Sequence, residues 1–556
     1  MANFLQNIFL RLQASSGRVV LREVRGDQFV SVTAGELLAL VETARRFFRA
    51  QQIPPGERCG LIAANSIHWI AADLALMAEG IVVVPLYHRQ TAGELAGMLK
   101  DCQPRLVLTG DDETSEALGA AWPQIPAPVP LAGIFSNAAP QSGATSPREA
   151  SDDYLLTIIY TSGTSGEPKG VCLNAGNLNH MTGCTTERLN QLMGATTAAD
   201  QIFLYAPMNF AASWMLMLSA LLRESVLTLS SDLNKLADEI CRSAPHYFLN
   251  VPTLLERVKR AVEDNLAKQA SPIQSLYKKT REAWQRQNAG RTKLFDGFTI
   301  ALGRKLIFSK IKARFGPNIR ALICGSAPLA PETQQWFLML GIPVLQAYGL
   351  TETTALCTLD DPRLPIEPGY VGRAVSGIEM QLAENDEIMV RGPNIFSGYW
   401  NRPAETAQVL RDGWLHTGDQ GEVNASGNWR IIGRIKNLLV LNTGHKFAPE
   451  PIEDKLAQLL PAAQQIVLVG NGRSYVTMLV TGLVTGKLES AAVQAAIDQV
   501  NRELPHYRQI RNFHILPEPF APDSGLVTAN GKLKRDAIAK HYDAEINSMY
   551  ARKATA

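Results

Sequence analysis

Residues 160–170 read YTSGTSGEPKG, and the fold turns on what this stretch is. It gathers three glycines, four aliphatic hydroxyls and one lysine into eleven residues. A glycine-rich loop lets backbone N–H groups come close to an anion, so the composition points to a phosphate grip. The phosphate loop of motor-type NTPases, G-x-x-x-x-G-K-[ST], does not fit. Counted from Gly163, Pro168 stands where the second glycine belongs, and Gly170 stands where the Mg²⁺-binding Ser or Thr belongs. A plain surface turn is the competing reading. LLTIIY (155–160), which runs into the stretch at Tyr160, reads as the strand that delivers it, and open α/β sheets bind ligands at the carboxyl ends of their strands.

Outward from this point the pattern alternates. Leu37, Leu40, Val41, Ala44 and Phe48 share one helical face. CGLIAAN (59–65) reads as a strand, Ser66 to Glu79 as a helix, IVVVPLY (81–87) as a strand, Glu94 to Cys102 as a helix and RLVLTG (105–110) as a strand. Such alternation predicts a mostly parallel sheet with helices on its faces. Residues 121–150, rich in Pro, Ala and Ser, read as a loop. Residues 256–315 read as basic helices: RVKRAVEDNLAKQ, YKKTREAWQRQ and GRKLIFSKIKARFG. They form either a solvated helical face or a patch for an anionic membrane or an anionic substrate tail.

The bulk numbers narrow the class. A chain of 556 residues is too long for one compact core, so two or more domains are expected. With 46% hydrophobic and 19% charged residues the composition is that of a globular protein, and a net charge of +2 gives no electrostatic case for nucleic acid. The seven cysteines contain no C-x-x-C pair and read as core thiols of a reducing compartment. The nine histidines lack metal-ligand spacing. The N-terminal stretch carries Arg11 and no clear cleavage site, so it does not read as a signal peptide. Asp73 and Glu79 interrupt the most apolar run, so no spanning helix is expected. The expected location is cytoplasmic, with contact to a membrane surface left open.

Further downstream, ALICGSAPLAPE (321–332) is a strand entering a small-residue turn, with Pro331 and Glu332 suited to a helix start. VLQAYGLTETTA (344–355) is a strand followed by a cluster of aromatic, glycine and hydroxyl residues. Tyr348 is suited to stacking on a purine, and Thr351 and Glu352 to phosphates and a metal, although Thr and Glu also favour helix starts. GWLHTGD (413–419) ends in Asp419, either an acceptor for ribose hydroxyls or an Asx turn. IIGRIKN (431–437) and GHKFAPEPIE (444–453) read as a strand, a basic turn and a Pro-punctuated helix start. GLVTANGKLKRD (525–536) places a lysine behind an Asn-Gly turn.

In this order these stretches resemble the adenylate-forming superfamily of acyl-CoA synthetases, peptide-synthetase adenylation domains and luciferases, over almost the whole chain. SAPHYFLNVPTLLERV (243–258), the helical segment after it and YRQIRNFHILPEPF (507–520) are most similar to long-chain fatty acyl-CoA synthetases. The resemblance implies an α/β fold: a large N-terminal domain (1–433) of mostly parallel α/β subdomains, then a small mobile α+β C-terminal domain (434–556). It implies two steps. A carboxylate attacks the α-phosphate of Mg·ATP, giving acyl-AMP and pyrophosphate; a thiol, that of coenzyme A, then attacks the acyl carbon and releases AMP.

By the same resemblance, Thr161, Ser162, Gly163, Thr164, Ser165, Gly166 and Lys169 surround the β- and γ-phosphates. Gly325, Ser326 and Ala327, with Gln346, Ala347, Tyr348 and Gly349, form the adenine wall. Thr351 touches the α-phosphate, Glu352 holds Mg²⁺, and Asp419 and Arg434 bind the ribose. Lys532 bridges the acyl carboxylate and α-phosphate, Lys436 marks the hinge, and Gly444 lines the thiol path. PMNFAASW (207–214) stands where the family usually reads P-x-x-H, so Phe210 replaces a histidine. Trp214 falls either at an acyl-tunnel mouth or in the core. Asn437 stands where Asp or Glu is frequent. A carrier-protein thiol as acceptor, an acyl-AMP ligase with another non-CoA acceptor, a luciferase-like oxidase and a degenerate non-catalytic nucleotide-binding protein are the competing readings.

Overall fold

The computed structural model describes residues 3–136, 146–162, 167–194, 200–482, 488–521, 524–527 and 532–551. The chain divides into two compact units. The first takes Met1–Met380, Val390–Leu415 and Asn424–Trp429; the second takes Gln381–Met389, His416–Val423 and Arg430–Ala556.

Two sheets organise the first unit. One has seven strands, in the order Gly398–Tyr399, Pro168–Asn174, Leu155–Ser162, Val82–Pro85, Arg58–Ile62, Leu106–Thr109 and Val129–Pro130. Its centre is parallel and its first two pairings are antiparallel. The other has nine strands, in the order Arg373–Ala374, Thr358–Leu359, Val344–Tyr348, Ala321–Cys324, Tyr247–Asn250, Gln201–Leu204, Val226–Leu229, Val19–Arg25 and Gln28–Thr33. The central strands Val82–Pro85, Leu106–Thr109, Ala321–Cys324 and Val226–Leu229 are buried at every residue. Such strands read as continuous apolar runs because both faces of a parallel sheet are covered.

Helix Ala34–Ala50 begins at a Thr33–Glu36 capping box and buries Leu37, Val41, Ala44 and Phe48 of the expected face, with Leu40 only half-buried. Ser66 caps Ile67–Glu79 and Gly80 ends it at φ 73°, a left-handed value that glycine adopts without strain. The apolar N-terminal residues form helix Phe4–Ala14, whose Phe4, Leu5, Ile8, Phe9 and Leu12 are buried. The stretch 121–150 is not a loop throughout. Val129–Pro130 extends the seven-stranded sheet in parallel with Leu108 and Thr109, and helix Leu131–Ser136 buries Leu131 and Ile134. Proline is tolerated on an edge strand, where its missing N–H leaves no ladder bond broken, so the composition hid both elements.

The basic segment is helical as expected, over Pro252–Ala267, Ser271–Asn288, Asp296–Gly303 and Ser309–Ala313, with a π-helical turn at Arg304–Phe308. Leu255, Leu266, Ile307 and Phe308 join the core around Trp336 and Phe337. The second unit contains the three-stranded sheet Ala463–Val469, Val476–Gly482 and Ile510–Leu516, with Glu450–Leu459 and Ser490–Asn501 packed on its apolar residues.

Helix Ala211–Leu222 is buried almost all round, and its Trp214 donates its indole N–H to Asp73 Oδ2 at 2.8 Å. Asp73 is completely buried and its Oδ1 has no hydrogen-bond partner. Burial pushes its carboxyl up to about 7, against the smaller opposing effect of the Trp214 bond. A carboxyl raised in the folded state stabilises the fold at low pH and loses that contribution as pH rises through its folded value. Asp73→Asn keeps an acceptor for Trp214 and removes the titration. The variant is expected to gain on the wild type between about pH 4 and pH 7, by about 1 kcal/mol per pH unit over most of that range, and to hold a constant difference above it. Thermal unfolding across pH checks this; a melting-temperature difference independent of pH would refute it.

Candidate active site

Strands Leu155–Ser162 and Pro168–Asn174 form an antiparallel hairpin, with Thr161 opposite Lys169 and Tyr160 opposite Gly170. The glycine stretch is therefore a strand-to-strand connection, unlike the strand-to-helix phosphate loop of NTPases. Gly163, Thr164, Ser165, Gly166 and the side chain of Ser162 lie outside the described residues. Gly170 has a packing reason: a Cβ there would stand 2.6 Å from Ile158 Cγ2 and 3.2 Å from Trp400 Cβ.

The neighbouring strand, Gly398–Tyr399, sets Tyr399 beside Val171. The Lys169 ammonium lies 5.2 Å from the centroid of the Tyr399 ring, within cation–π range. The Tyr399 hydroxyl donates to Glu352 Oε1 at 2.8 Å, and the Phe396 N–H donates to the Glu352 carbonyl at 3.0 Å. The structure thus brings Lys169 and Glu352 to the two sides of one tyrosine. Sequence reasoning missed Tyr399, whose only local signal is the Gly-Tyr-Trp run at 398–400.

Ala321–Cys324 and Val344–Tyr348 lie side by side in parallel, pairing Cys324 with Gln346. Beyond them stand Gly325, within 3.3 Å of the Ala347 carbonyl as measured from a Cβ position, and Ser326 at φ 73°. Ser326 and Ala327 are exposed, and Ala347 and Gly349 half-buried. Gln346 is buried and its amide is committed to the scaffold: it accepts from the Leu329 N–H at 3.2 Å and donates to Gln334 and to the Tyr370 carbonyl. Tyr348 is likewise buried at the strand end.

Thr351–Thr353 is a single 3₁₀ turn. The capping work falls to Thr353, whose hydroxyl accepts from the Leu350 N–H at 2.8 Å and donates to the Leu350 carbonyl. Thr354 and Ala355 follow at φ 52° and 81°, a left-handed pair that costs backbone strain in non-glycine residues. The chain there folds back so tightly that a Cβ on Gly349 would be 2.2 Å from the Ala355 carbonyl. Buried Asn394 holds this turn, donating to the Thr353 and Leu356 carbonyls, while the Thr354 hydroxyl donates to the Asn394 carbonyl. No local signal marks Asn394 in the sequence.

Phe210 begins helix Ala211–Leu222 with its ring 6.4 Å from that of Tyr87. Trp214 is 1% exposed and bonded to Asp73, which places it in the core.

In the second unit, Asp419 is buried within strand Trp414–Val423, not in an Asx turn. Arg434 Nε lies 2.6 Å from Asp419 Oδ1, and the Arg434 guanidinium also donates to the Thr417 carbonyl. The next turn, Ile435–Asn437, carries Lys436. Its ammonium is held below the ordinary lysine range, first by burial and then by Arg434 and Lys532, with Asp536 and Asp419 opposing. Lys532, remote in sequence, therefore belongs to the same electrostatic cluster. Asn437 donates to Glu450 Oε1 at 2.7 Å; an amide suits that carboxylate where an acid would repel it. Gly444, at φ 83°, is on the turn between Leu439–Val440 and Lys446–Phe447.

The AMP-binding enzyme model matches residues 11–400, and the model of the AMP-binding enzyme C-terminal domain matches 436–554. The chain belongs to the AMP-binding enzyme family. It is 27% identical to the long-chain-fatty-acid–CoA ligase FadD15 of Mycobacterium bovis, over 96% of this chain and 94% of that protein. It is 30% identical to the putative fatty-acid–CoA ligase fadD11 of Mycobacterium tuberculosis, over 73% and 75% of the two chains. Its fold matches the o-succinylbenzoate CoA synthetase MenE of Bacillus subtilis, solved with its acyl-adenylate, at 20% identity and a TM-score of 0.75, covering 97% and 98% of the chains.

The segment that follows Lys532 is tied down by Arg535, which opens helix Arg535–His541 and forms a two-pronged ion pair with Glu453. Glu453 is buried and its Oε1 also accepts the Leu468 N–H at 2.6 Å. Removing one partner of a buried pair leaves an uncompensated charge, typically costing about 3–5 kcal/mol. Arg535→Ala is expected to destabilise the second unit on that scale and to accelerate amide exchange over 535–541. Exchange rates there equal to those of the wild type would refute the anchoring.

Proposed function

We propose that the protein is an AMP-forming acid–thiol ligase that converts a medium- to long-chain fatty acid to its CoA thioester through an acyl-adenylate. The observation that carries this reading is the Arg434–Asp419 ion pair with Lys436 beside it, whose ammonium feels the charges of Asp419 and of Lys532. A polyanion with ribose hydroxyls suits such a set: the cations meet phosphate oxygens and the carboxylate accepts the hydroxyls. Glu352, oriented by Tyr399, fits one place in a Mg²⁺ shell, which usually takes one or two carboxylates and fills up with phosphate oxygens and water. Among the described residues no group of three or more His, Cys, Asp or Glu is placed to hold a metal by itself.

In the first step a carboxylate oxygen attacks the α-phosphorus and the bond to pyrophosphate breaks. Lys532 stabilises the charge that develops on the phosphoryl oxygens, and Lys169 and Thr161 hold the β- and γ-phosphates. In the second step the thiol sulfur attacks the acyl carbon and AMP leaves with the bonding electrons. Lys436 is the hinge that lets the domain 434–556 move between steps, and Gly444 lines the thiol path. The fatty-acid reading rests on the named relatives and on the helical segment 252–313. No described helix is long and apolar enough to cross a membrane, and the proposed location is the cytoplasm.

The test of the substrate class is pyrophosphate release across acids from acetate to palmitate, followed by thioester formation with CoA or with a carrier protein. Each buried methylene adds roughly 0.8 kcal/mol, so C12–C18 acids are expected to exceed acetate in kcat/KM by orders of magnitude. Equal values for acetate and palmitate would overturn the fatty-acid assignment, and transfer to a carrier protein alone would overturn CoA as acceptor.

The two steps also separate by mutation. Lys532→Ala is expected to slow adenylation by about 10²–10³ while leaving the conversion of supplied acyl-AMP and CoA intact. Lys436→Pro fixes φ at the hinge and is expected to spare pyrophosphate release while thioester formation falls. Equal slowing of both half-reactions in Lys532→Ala would remove Lys532 from the assigned role.

A further inference from the structure

The basic helical segment has a feature that its charge does not explain. The three most exposed large apolar side chains among the described residues are Leu294 at 92%, Phe295 at 70% and Phe298 at 70%, all within five positions. Leu306, on the same helical rod, is exposed as well. These side chains are turned outward by packing on the other side. Ile300, Ile307 and Phe308 are buried, and Gly303 approaches Thr280 so closely that a Cβ would meet Thr280 Oγ1 at 2.3 Å. That contact fixes which face of Asp296–Gly303 meets helix Ser271–Asn288.

The charges around the apolar face have one sign. Residues 291–314 hold Arg291, Lys293, Arg304, Lys305, Lys310, Lys312 and Arg314 against a single acid, Asp296. Asp296 is buried, pairs with Arg286 at 2.6 Å and accepts the Lys293 N–H at 2.8 Å. Its charge is thus spent internally. Arg291, Lys293, Arg304 and Lys305 are exposed. A solvated helical face has no use for a leucine and two phenylalanines in water, and contiguous exposed apolar groups mark an interaction site. An apolar centre with a basic rim is the complement of a bilayer surface with anionic headgroups: the rings enter the acyl boundary and the cations remain among the phosphates.

We propose that Leu294, Phe295 and Phe298 insert into an anionic lipid bilayer, with Arg291, Lys293, Arg304 and Lys305 binding its headgroups, so that the protein docks on the membrane through the 291–306 segment. The inference stands on this surface and does not depend on which acid the protein activates.

The test uses the full chain, with flotation on phosphatidylcholine vesicles with and without phosphatidylglycerol. Wild-type protein is expected to bind the anionic vesicles, and to retain part of that binding in about 1 M salt, where the screening length falls to about 3 Å. The triple variant Leu294→Ser, Phe295→Ser, Phe298→Ser is expected to partition at least roughly tenfold more weakly, with its melting temperature unchanged because the three side chains are exposed. Phe295→Trp reports the depth directly: its emission is expected to shift to the blue with anionic vesicles, and this readout stands alone if the triple variant fails to fold. Unaltered emission, or equal partitioning of wild type and triple variant, would overturn the proposal. So would a wild-type dimer that ignores vesicles and dissociates in the triple variant, which would assign the face to a second copy of the chain.

Discussion

Backbone pairing between Pro168–Asn174 and the short strand Gly398–Tyr399 is the constraint on which the candidate residues of the first unit depend. It joins stretches more than two hundred residues apart in sequence and sets the Tyr399 ring next to the lysine of the glycine stretch. Gly170 permits it, because the hairpin, Trp400 and Ile158 leave no room for a side chain there. Through the tyrosine hydroxyl the same pairing fixes Glu352. A lysine and a carboxylate thus share one preorganised support, and neither has to be ordered when a charged ligand arrives.

The second unit reaches a comparable arrangement by other means. Its three cations come from two distant chain segments, and the Glu453–Arg535 pair anchors one of them. Such a buried pair adds little over a well-packed apolar pair, but its geometry admits few alternatives. The left-handed turn at Thr354–Ala355 in the first unit shows the same economy: buried Asn394 ties it to the core through both its amide and its carbonyl.

Much of the architecture was legible in the sequence. The alternation from Leu37 to Gly110 specifies its helices and strands closely, because period and capping are set by near neighbours, as at Thr33 and Ser66. The reading failed at 121–150, where a two-residue strand and a short helix form only because an existing sheet edge and buried neighbours receive them. Among candidate site residues, the glycine stretch, TETTA, Asp419 and the lysine near the C-terminus stand out by local composition. Tyr399 and Asn394 do not, since each acts through partners far along the chain. Trp214 was ambiguous for the same reason: its bond to Asp73 spans 141 positions.

By itself the sequence determined the α/β class, the order of the motifs and the type of chemistry, since each depends on residue types at short spacing. It also set the basic charge of the segment before residue 315. Only the tertiary structure decided that the glycine stretch closes a hairpin, that Gln346 is scaffold, that Lys436 and Lys532 share one field, and which side of residues 294–306 faces water. Those outcomes follow from close packing between remote segments, as at Gly303 on Thr280, and periodicity along a single segment does not encode them.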